Sequence, residues 1–326
     1  MEVIQVFDRP ASHAFYSVAG RLLFVETHDH RLRNLIGLLF GGWQLTPVFF
    51  PDRSPDIRIN FCCGETPFEF PRHLNQFEIA EGGRCYAGDA DFYLALRGSV
   101  VHLVSGTPVT VDVSLAELPE PGDPLLARIA SFAVCAALRR FGLFDLHSAG
   151  VVNPESGKGV LIVGPSGSGK STLALQLALA GWPYLSDDEL LLSLVDGEVQ
   201  ARGFRSFFAV RNGEPFKHCF EPEVTFGSQR RDEALPELLL FIRLNGEEKT
   251  QVSKLTQAET MARLIRACPW ATYDTAIAAA NLEVLSALAR QATGFDLFAG
   301  RDLLAPGHAA ELLMPQKGTR VTKGIF

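Results

Sequence analysis

Nine residues, GPSGSGKST at 164–172, constrain this chain more than any other stretch. Gly164, Gly169, Lys170 and Ser171 satisfy the pattern G-x-x-x-x-G-K-[ST]. The flanks agree with it. GVLIV before the pattern predicts a strand, and STLALQLALA after it predicts a helix that Gly181 can end. Strand, glycine-rich turn and helix in that order close backbone N–H groups around phosphate oxygens, and the helix N-terminus adds positive potential. Lys170 can reach β- and γ-phosphates, and the Ser171 hydroxyl can hold Mg²⁺. Gly164, Pro165, Ser166, Gly167, Ser168, Gly169, Lys170, Ser171 and Thr172 are therefore the expected nucleotide contacts. A serine-rich turn matching by chance would not bring both flanks with it.

Downstream, YLSDDELLL at 184–192 sets Asp187, Asp188 and Glu189 between apolar residues. Carboxylates are rarely buried without a partner. Asp187 and Asp188 stand 17 and 18 residues after Lys170. The helix, the turn GWP and a strand from Tyr184 return the chain beside the loop, so the strand's end can bring these acids near a γ-phosphate. A carboxylate there binds Mg²⁺ or takes a proton from an attacking hydroxyl. Consecutive strand residues face opposite ways, so the pattern leaves open which aspartate does which. An ABC-type ATPase is excluded. It requires an LSGGQ-like segment, which the chain lacks, and LLLFIRLNGEE has Arg and Asn where such an ATPase needs Asp. The loop reads phosphates, so ATP, ADP and pyrophosphate all remain open as donor.

Around this centre the chain divides by pattern. Residues 14–26 predict one or two strands, and from 56 to 113 short segments rich in Val, Phe, Tyr and Ile, separated by Gly, Pro and Asp, predict a mainly antiparallel β region. One helix stands between them, HRLRNLIGLLFG, with Leu32, Leu35, Ile36 and Leu39 at helical spacing. ELPEPGDP at 117–124 has three prolines and one glycine and reads as a domain boundary. LLARIASFAVCAALRRFG then predicts an amphipathic helix opening an α/β domain. In that domain LLLFIRL is a buried strand, Thr256 and Glu259 form a capping box, and a long helix covers about 276–292. The expected layout is a β-rich domain over 1–118 that can bind the acceptor through an edge strand, an α/β domain over 119–315 and a flexible tail over 316–326.

Composition narrows the partners. A net charge of −7 argues against nucleic acid. No apolar run reaches the roughly 18 residues of a membrane span. MEVIQVFDRP has no basic-then-apolar order, so no signal peptide is expected. Six dispersed cysteines without a CxxC read as reduced thiols of a cytoplasmic protein, and His218-Cys219 is a weak metal pattern.

DLHSAGVVNPESGKGVLIVG reads as strand, turn and strand leading into the loop. His147, that turn, the loop and the close Asp pair together resemble the catalytic domain of HPr kinase/phosphorylase and its relatives. There a His-Gly-Val-type strand precedes the loop and an Ala-Asp-Asp follows it. The phosphoenolpyruvate carboxykinase fold, with its Gly-Asp-Asp-Glu, is also similar. The resemblance spans roughly 125–315. It implies an α/β P-loop kinase domain of that type, ATP and Mg²⁺ as cofactors, and a possible homo-oligomer. It implies that Lys170 and Ser171 handle phosphate and metal, that Asp187 and Asp188 divide metal and base work, with Asp188 favoured as base, and that His147 lies near the γ-phosphate or acceptor. One position departs. In the family's Leu-Glu-Ile-Arg-Gly-like segment, the nearest match here is FFAVRNG, with Arg211 in place but Ala209 where Glu is expected. Glu189 or Glu214 can stand in as the metal acid. Arg211 can clamp phosphate or acceptor, while Arg205, Arg230 and Arg231 read as solvated. The N-terminal region resembles the varied β-rich leaders of HPr-kinase-like proteins that modify peptides.

The expected function is transfer of a γ-phosphate to a serine-type hydroxyl of a peptide or small protein. Free serine or a sugar is the alternative acceptor. A nucleotide-binding regulator without phosphotransfer is the other class.

Overall fold

The computed structural model describes residues 13–64, 74–79, 82–120, 122–210, 218–220, 224, 229–305 and 307–313. They fall into two compact units. The first comprises residues up to Gly41, Leu45–Phe141 and Tyr273–Ala276; the second comprises Gly42–Gln44, Gly142–Thr272 and the chain from Ile277. Among the described residues no helix is long and apolar enough to cross a membrane.

The first unit is built on one nine-stranded sheet. Its strands are β1 (His13–Val18), β2 (Arg21–Thr27), β3 (Thr46–Pro47), β4 (Ile57–Cys63), β5 (Asn75–Ile79), β6 (Gly83–Ala87), β7 (Asp91–Leu96), β8 (Ser99–Val104) and β9 (Val109–Leu115). Their order is β3-β1-β2-β4-β9-β8-β7-β6-β5. β4 pairs in parallel with β2 and β9, and the other pairs are antiparallel. Alternation sets one face: Ile57, Ile59 and Phe61 of β4 are buried, as are Val109, Val111 and Val113 of β9. Helix α1 (His30–Gly41) buries Leu32, Ile36 and Phe40, the expected stripe shifted slightly around its axis.

Helix α2 (Pro124–Arg139) corrects the expected boundary. Asp123 caps it, its carboxylate accepting from Leu125 N at 2.8 Å, and Pro124 opens it. Twelve of its sixteen residues are buried, so it is a core helix and not an amphipathic one. It packs on β4, β8 and β9 of the first unit. The proline-rich segment is therefore a connection inside that unit, and the division of the chain falls after Phe141 instead of at 118. Arg140 closes the packing through a 2.7 Å ion pair with the fully buried Asp274. Cys85, buried in the same unit, has its thiol pushed up to about 12 by desolvation. Cys62, Cys63, Cys85, Cys135 and Cys268 form no disulfide.

The second unit is α/β with several sheets. A six-stranded sheet holds β11 (Ser148–Val152), β12 (Gly159–Val163), β13 (Tyr184–Ser186), β19 (Pro236–Leu244), β20 (Gln251–Lys254) and β21 (Thr293–Ala299), ordered β13-β11-β12-β19-β21-β20. Beside it lies a four-stranded sheet of β10 (Phe144–Leu146), β14 (Leu190–Val195), β15 (Glu198–Gly203) and β18 (Glu233–Ala234), ordered β10-β14-β15-β18. β16 (Phe208–Val210) and β17 (His218–Phe220) form a separate hairpin. The helices are α3 (Lys170–Leu179), α4 (Gln257–Ala267), α5 (Ala278–Gln291) and α6 (His308–Leu313).

The parallel strands β12 and β19 are apolar on both faces over their buried length, as a covered sheet requires. Val160, Ile162, Leu238 and Leu240 face a core with α3 and α6. Leu161, Val163, Leu239 and Phe241 face a second core with α4, α5 and the four-stranded sheet. The capping box of Thr256 and Glu259 forms as the pattern predicts, with Thr256 N donating to Glu259 Oε2 at 2.8 Å. Burial along β19 yields a direct test. Leu240→Ala removes a fully buried side chain and is expected to cost about 2–5 kcal/mol. Leu244→Ala, four residues on and mostly exposed, is expected to stay within about 0.5 kcal/mol. Denaturant unfolding of both variants measures the difference.

Candidate functional site

Two strands change sheets at one corner, and the chemistry gathers there. β10 of the four-stranded sheet continues through His147 into β11 of the six-stranded sheet. β13 of the six-stranded sheet continues through Asp187, Asp188 and Glu189 into β14 of the four-stranded sheet. β10 pairs with β14, Leu146 opposite Leu190, and β11 pairs with β13, Gly150 opposite Ser186. His147 and the acids therefore meet where both chains bend. Strands that switch sheets make such corners in β structure. The strand from Tyr184 ends at Ser186, the acids follow at its end, and a second strand begins at Leu190 in the other sheet.

Ser186 pins the bend. Its buried hydroxyl donates to Glu189 O at 2.6 Å and accepts from Phe204 N at 3.1 Å and Arg205 N at 2.9 Å. Asp188 sits at φ +66°, a left-handed conformation that Asp tolerates better than most residues. Gln44 Nε2 donates to Leu185 O and Arg205 O, both at 3.0 Å, and so ties the strand that leads into the corner.

Beside this corner the glycine-rich loop joins β12 to α3. A Cβ on Gly164 would lie 2.5 Å from Ser168 Oγ and 2.7 Å from Ile242 O, so only glycine fits. Gly167 at φ +81° and Gly169 at φ +99° supply the left-handed turns that bring the chain onto α3. Lys170 is buried, and its Nζ lies 2.9 Å from Gly164 O, 3.1 Å from Pro165 O and 3.0 Å from His147 Nε2. An ammonium only donates, so His147 Nε2 accepts and the ring proton sits on Nδ1. That Nδ1 faces Asp188 Oδ1 at 3.5 Å. Lys170, His147 and Asp188 thus form one chain of polar contacts.

The two aspartates differ in environment. Asp187 is buried and accepts from Ser171 Oγ at 2.7 Å. Asp188 is 43% exposed along its side chain and lines a cavity of about 610 Å³ with the loop and α3. The far wall of that cavity carries Leu244 and Leu304, 65% and 58% exposed, beside Leu303 and Arg301. Its volume lies in the range typical of small-molecule pockets. Ser171 hydroxyl and Asp187 carboxylate form a hard oxygen pair that fits Mg²⁺. Ser168 Oγ is buried with no hydrogen-bond partner among the described residues, a donor that a phosphate oxygen can satisfy.

Other expected site residues fall elsewhere. The Glu189 carboxylate is held by Arg205 at 2.8 Å. Arg205, read from the sequence as solvated, is half-buried and stacks over Trp43 at 4.5 Å from the ring centroid. The pair gives the Glu189 carboxylate a cationic partner. Arg230 and Arg231 are exposed, as expected. Arg211 and Glu214 lie outside the described residues, while Ala209 lies in the backbone of β16. Ser186, Gln44 and Trp43 carried no sequence signal, because their partners stand far along the chain.

No family model matches the chain, and no curated protein matches it. Among solved structures, the HPr(Ser) kinase/phosphatase from Coxiella burnetii is similar at 18% identity, over 34% of this chain and 77% of that one, with a TM-score of 0.28. A likeness that low carries no argument, and the reading rests on the residues themselves. They yield a direct expectation. Gly164→Ala forces Ser168 and the Ile242 carbonyl apart and is expected to lower ATP affinity at least about tenfold, or about 1.4 kcal/mol. Isothermal titration checks it, and unchanged affinity contradicts the cradle.

Proposed function

We propose that the protein is an ATP- and Mg²⁺-dependent kinase of the HPr kinase type, acting on a serine-type hydroxyl of a peptide or small protein. One observation carries the reading. A buried Ser171–Asp187 contact and an accessible Asp188 flank the same glycine-rich loop, with Lys170 and His147 joined to them.

The division of labour follows from burial. Ser171 and Asp187 would hold Mg²⁺, and the metal, when bound, supplies charge neutralisation on the phosphate oxygens. The loop N–H groups and Lys170 bind and orient the phosphates. Asp188 accepts the proton of the attacking hydroxyl as its oxygen bonds to the γ-phosphorus and the bond to the β-phosphate oxygen breaks, leaving ADP. His147, with its proton on Nδ1, orients Asp188 and keeps Nε2 toward Lys170. The exposed leucines of the cavity wall support a nucleoside-bearing donor over bare pyrophosphate, because they offer an apolar surface for a base.

The test is mass spectrometry of candidate peptides and proteins after incubation with ATP and Mg²⁺. Wild type is expected to add one phosphoryl group to a serine. Asp188→Asn keeps the shape and the tolerance for positive φ, and is expected to lose about 10²–10⁴-fold in rate while still binding ATP. ATP binding without modification of any candidate by wild type would favour a regulator instead. A second prediction separates the aspartates. Asp187→Asn is expected to make ATP binding insensitive to Mg²⁺, whereas Asp188→Asn keeps that sensitivity.

A further inference from the structure

A second cavity, of about 280 Å³, opens on the other side of the loop. It shares Gly164 and Pro165 with the loop, and His147 lines it. The Lys170 amine touches all three of these residues, so it forms part of the wall between the two cavities. The rest of the lining is unusual in charge. Arg243 comes from the end of β19, and Arg263 and Arg266 come from α4, one turn apart on one face. Among the described residues no carboxylate lines the cavity.

The three arginines are not equivalent. Arg263 is engaged by Asp296 in a two-pronged pair, with Nε to Oδ1 at 2.7 Å and Nη2 to Oδ2, which fastens α4 to β21. Arg243 and Arg266 are exposed and form no ion pair among the described residues. Arg243 lies 6.0 Å from the Phe298 ring, which steadies its plane. Arg266 in the last turn of α4 is favoured there by the helix dipole, and the alternation of β19 puts Arg243 on the α4 side with Leu239 and Phe241. Two unanswered guanidiniums converging on a small cavity suit a planar anion, which each can grip through two N–H donors.

We propose that this second cavity is the acceptor site, and that it selects acceptors carrying a carboxylate close to the hydroxyl that receives phosphate. Arg243 and Arg266 are the specificity residues. This rests on the kinase reading for the acceptor's fate, but not for the binding of the carboxylate. With the carboxylate held by these arginines, the acceptor hydroxyl points past His147 toward Asp188, which faces the same ring, and the γ-phosphate. The leaving nucleotide remains in the larger cavity.

The experiment uses the full chain with Mg²⁺ and a non-hydrolysable ATP analogue. The probes are a labelled heptapeptide with a central Ser flanked by Asp on both sides, its counterpart with Asn in both places, and L-serine as competitor. Fluorescence anisotropy is expected to show the Asp peptide binding at least about tenfold more tightly than the Asn peptide, a loss that the double variant Arg243→Gln/Arg266→Gln reproduces. Circular dichroism and the unfolding midpoint control for folding, since both side chains are exposed. Displacement by L-serine at low concentration, absent in the double variant, identifies a free hydroxy acid as the source of the carboxylate and also supports the site. Equal binding of the two peptides, unchanged affinity in the double variant, or no binding by either carboxylate probe overturns the proposal. Phosphotransfer with ATP is then measured separately. Arginine-dependent binding without transfer sinks the kinase reading and leaves the anion site standing. Transfer that is equally fast to the Asn peptide does the reverse.

Discussion

The shared corner of two sheets is the constraint on which the rest depends. Two antiparallel strands each leave one sheet and enter another at the same place, and the residues of the bend cannot continue either ladder. Backbone groups at such a bend still need partners. Ser186 supplies them by joining Glu189 O, Phe204 N and Arg205 N through one hydroxyl. Because the bend is fixed from behind, the side chains on its front are fixed as well. Asp187 and Asp188 are neighbours in sequence, yet one is turned inward to Ser171 and the other outward to the cavity. An ordinary strand would also separate them to two faces, but one of those faces would be core. The bend lets both reach the same loop.

Electrostatics follow from that placement. A buried carboxylate is costly unless it is hydrogen-bonded or paired. Asp187 meets that condition through Ser171, and Glu189 through Arg205. Asp188 keeps contact with water and with His147, which suits a group that must gain and lose a proton. Lys170 is buried, with carbonyls at two of its donors and an imidazole at the third. Each charge near the loop is thus answered locally. The phosphates of a nucleotide would meet the loop N–H groups and the Lys170 amine there.

Much of this was legible in the sequence, for identifiable reasons. The loop, its strand and its helix are local: glycine spacing and apolar period encode them within twenty residues. The capping box of α4 is local in the same sense. The two-faced apolar pattern of β19 announced a covered strand. What was not legible depended on distant partners. Twelve buried residues make α2 a core helix, but which core it enters is decided by β8 and β9, and the prolines beside it pointed the wrong way. Arg205 looks like any surface cation until Trp43, more than a hundred residues earlier, lies beneath it. The sequence places the acids at the end of the strand from Tyr184, but that the next strand joins another sheet depends on distant partners, Leu146 opposite Leu190 and Gly150 opposite Ser186.

The missing acid at position 209 takes on a different meaning in this light. A metal site needs carboxylates whose charge is not already spent, and Glu189 spends its charge on Arg205. The carboxylates that remain beside the loop are those of the two aspartates, with Ser171 Oγ bonded to one of them. A site with so few protein ligands relies on phosphate oxygens and water to complete a metal's shell, which is the habit of Mg²⁺ rather than of a tightly caged ion. Arginines then matter more for binding an acceptor than carboxylates do. The second cavity has that balance: basic residues on one side of Lys170, acids and hydroxyls on the other. Under the proposed function, such walls would hold a negatively charged acceptor and a metal-bound nucleotide on separate sides of one amine.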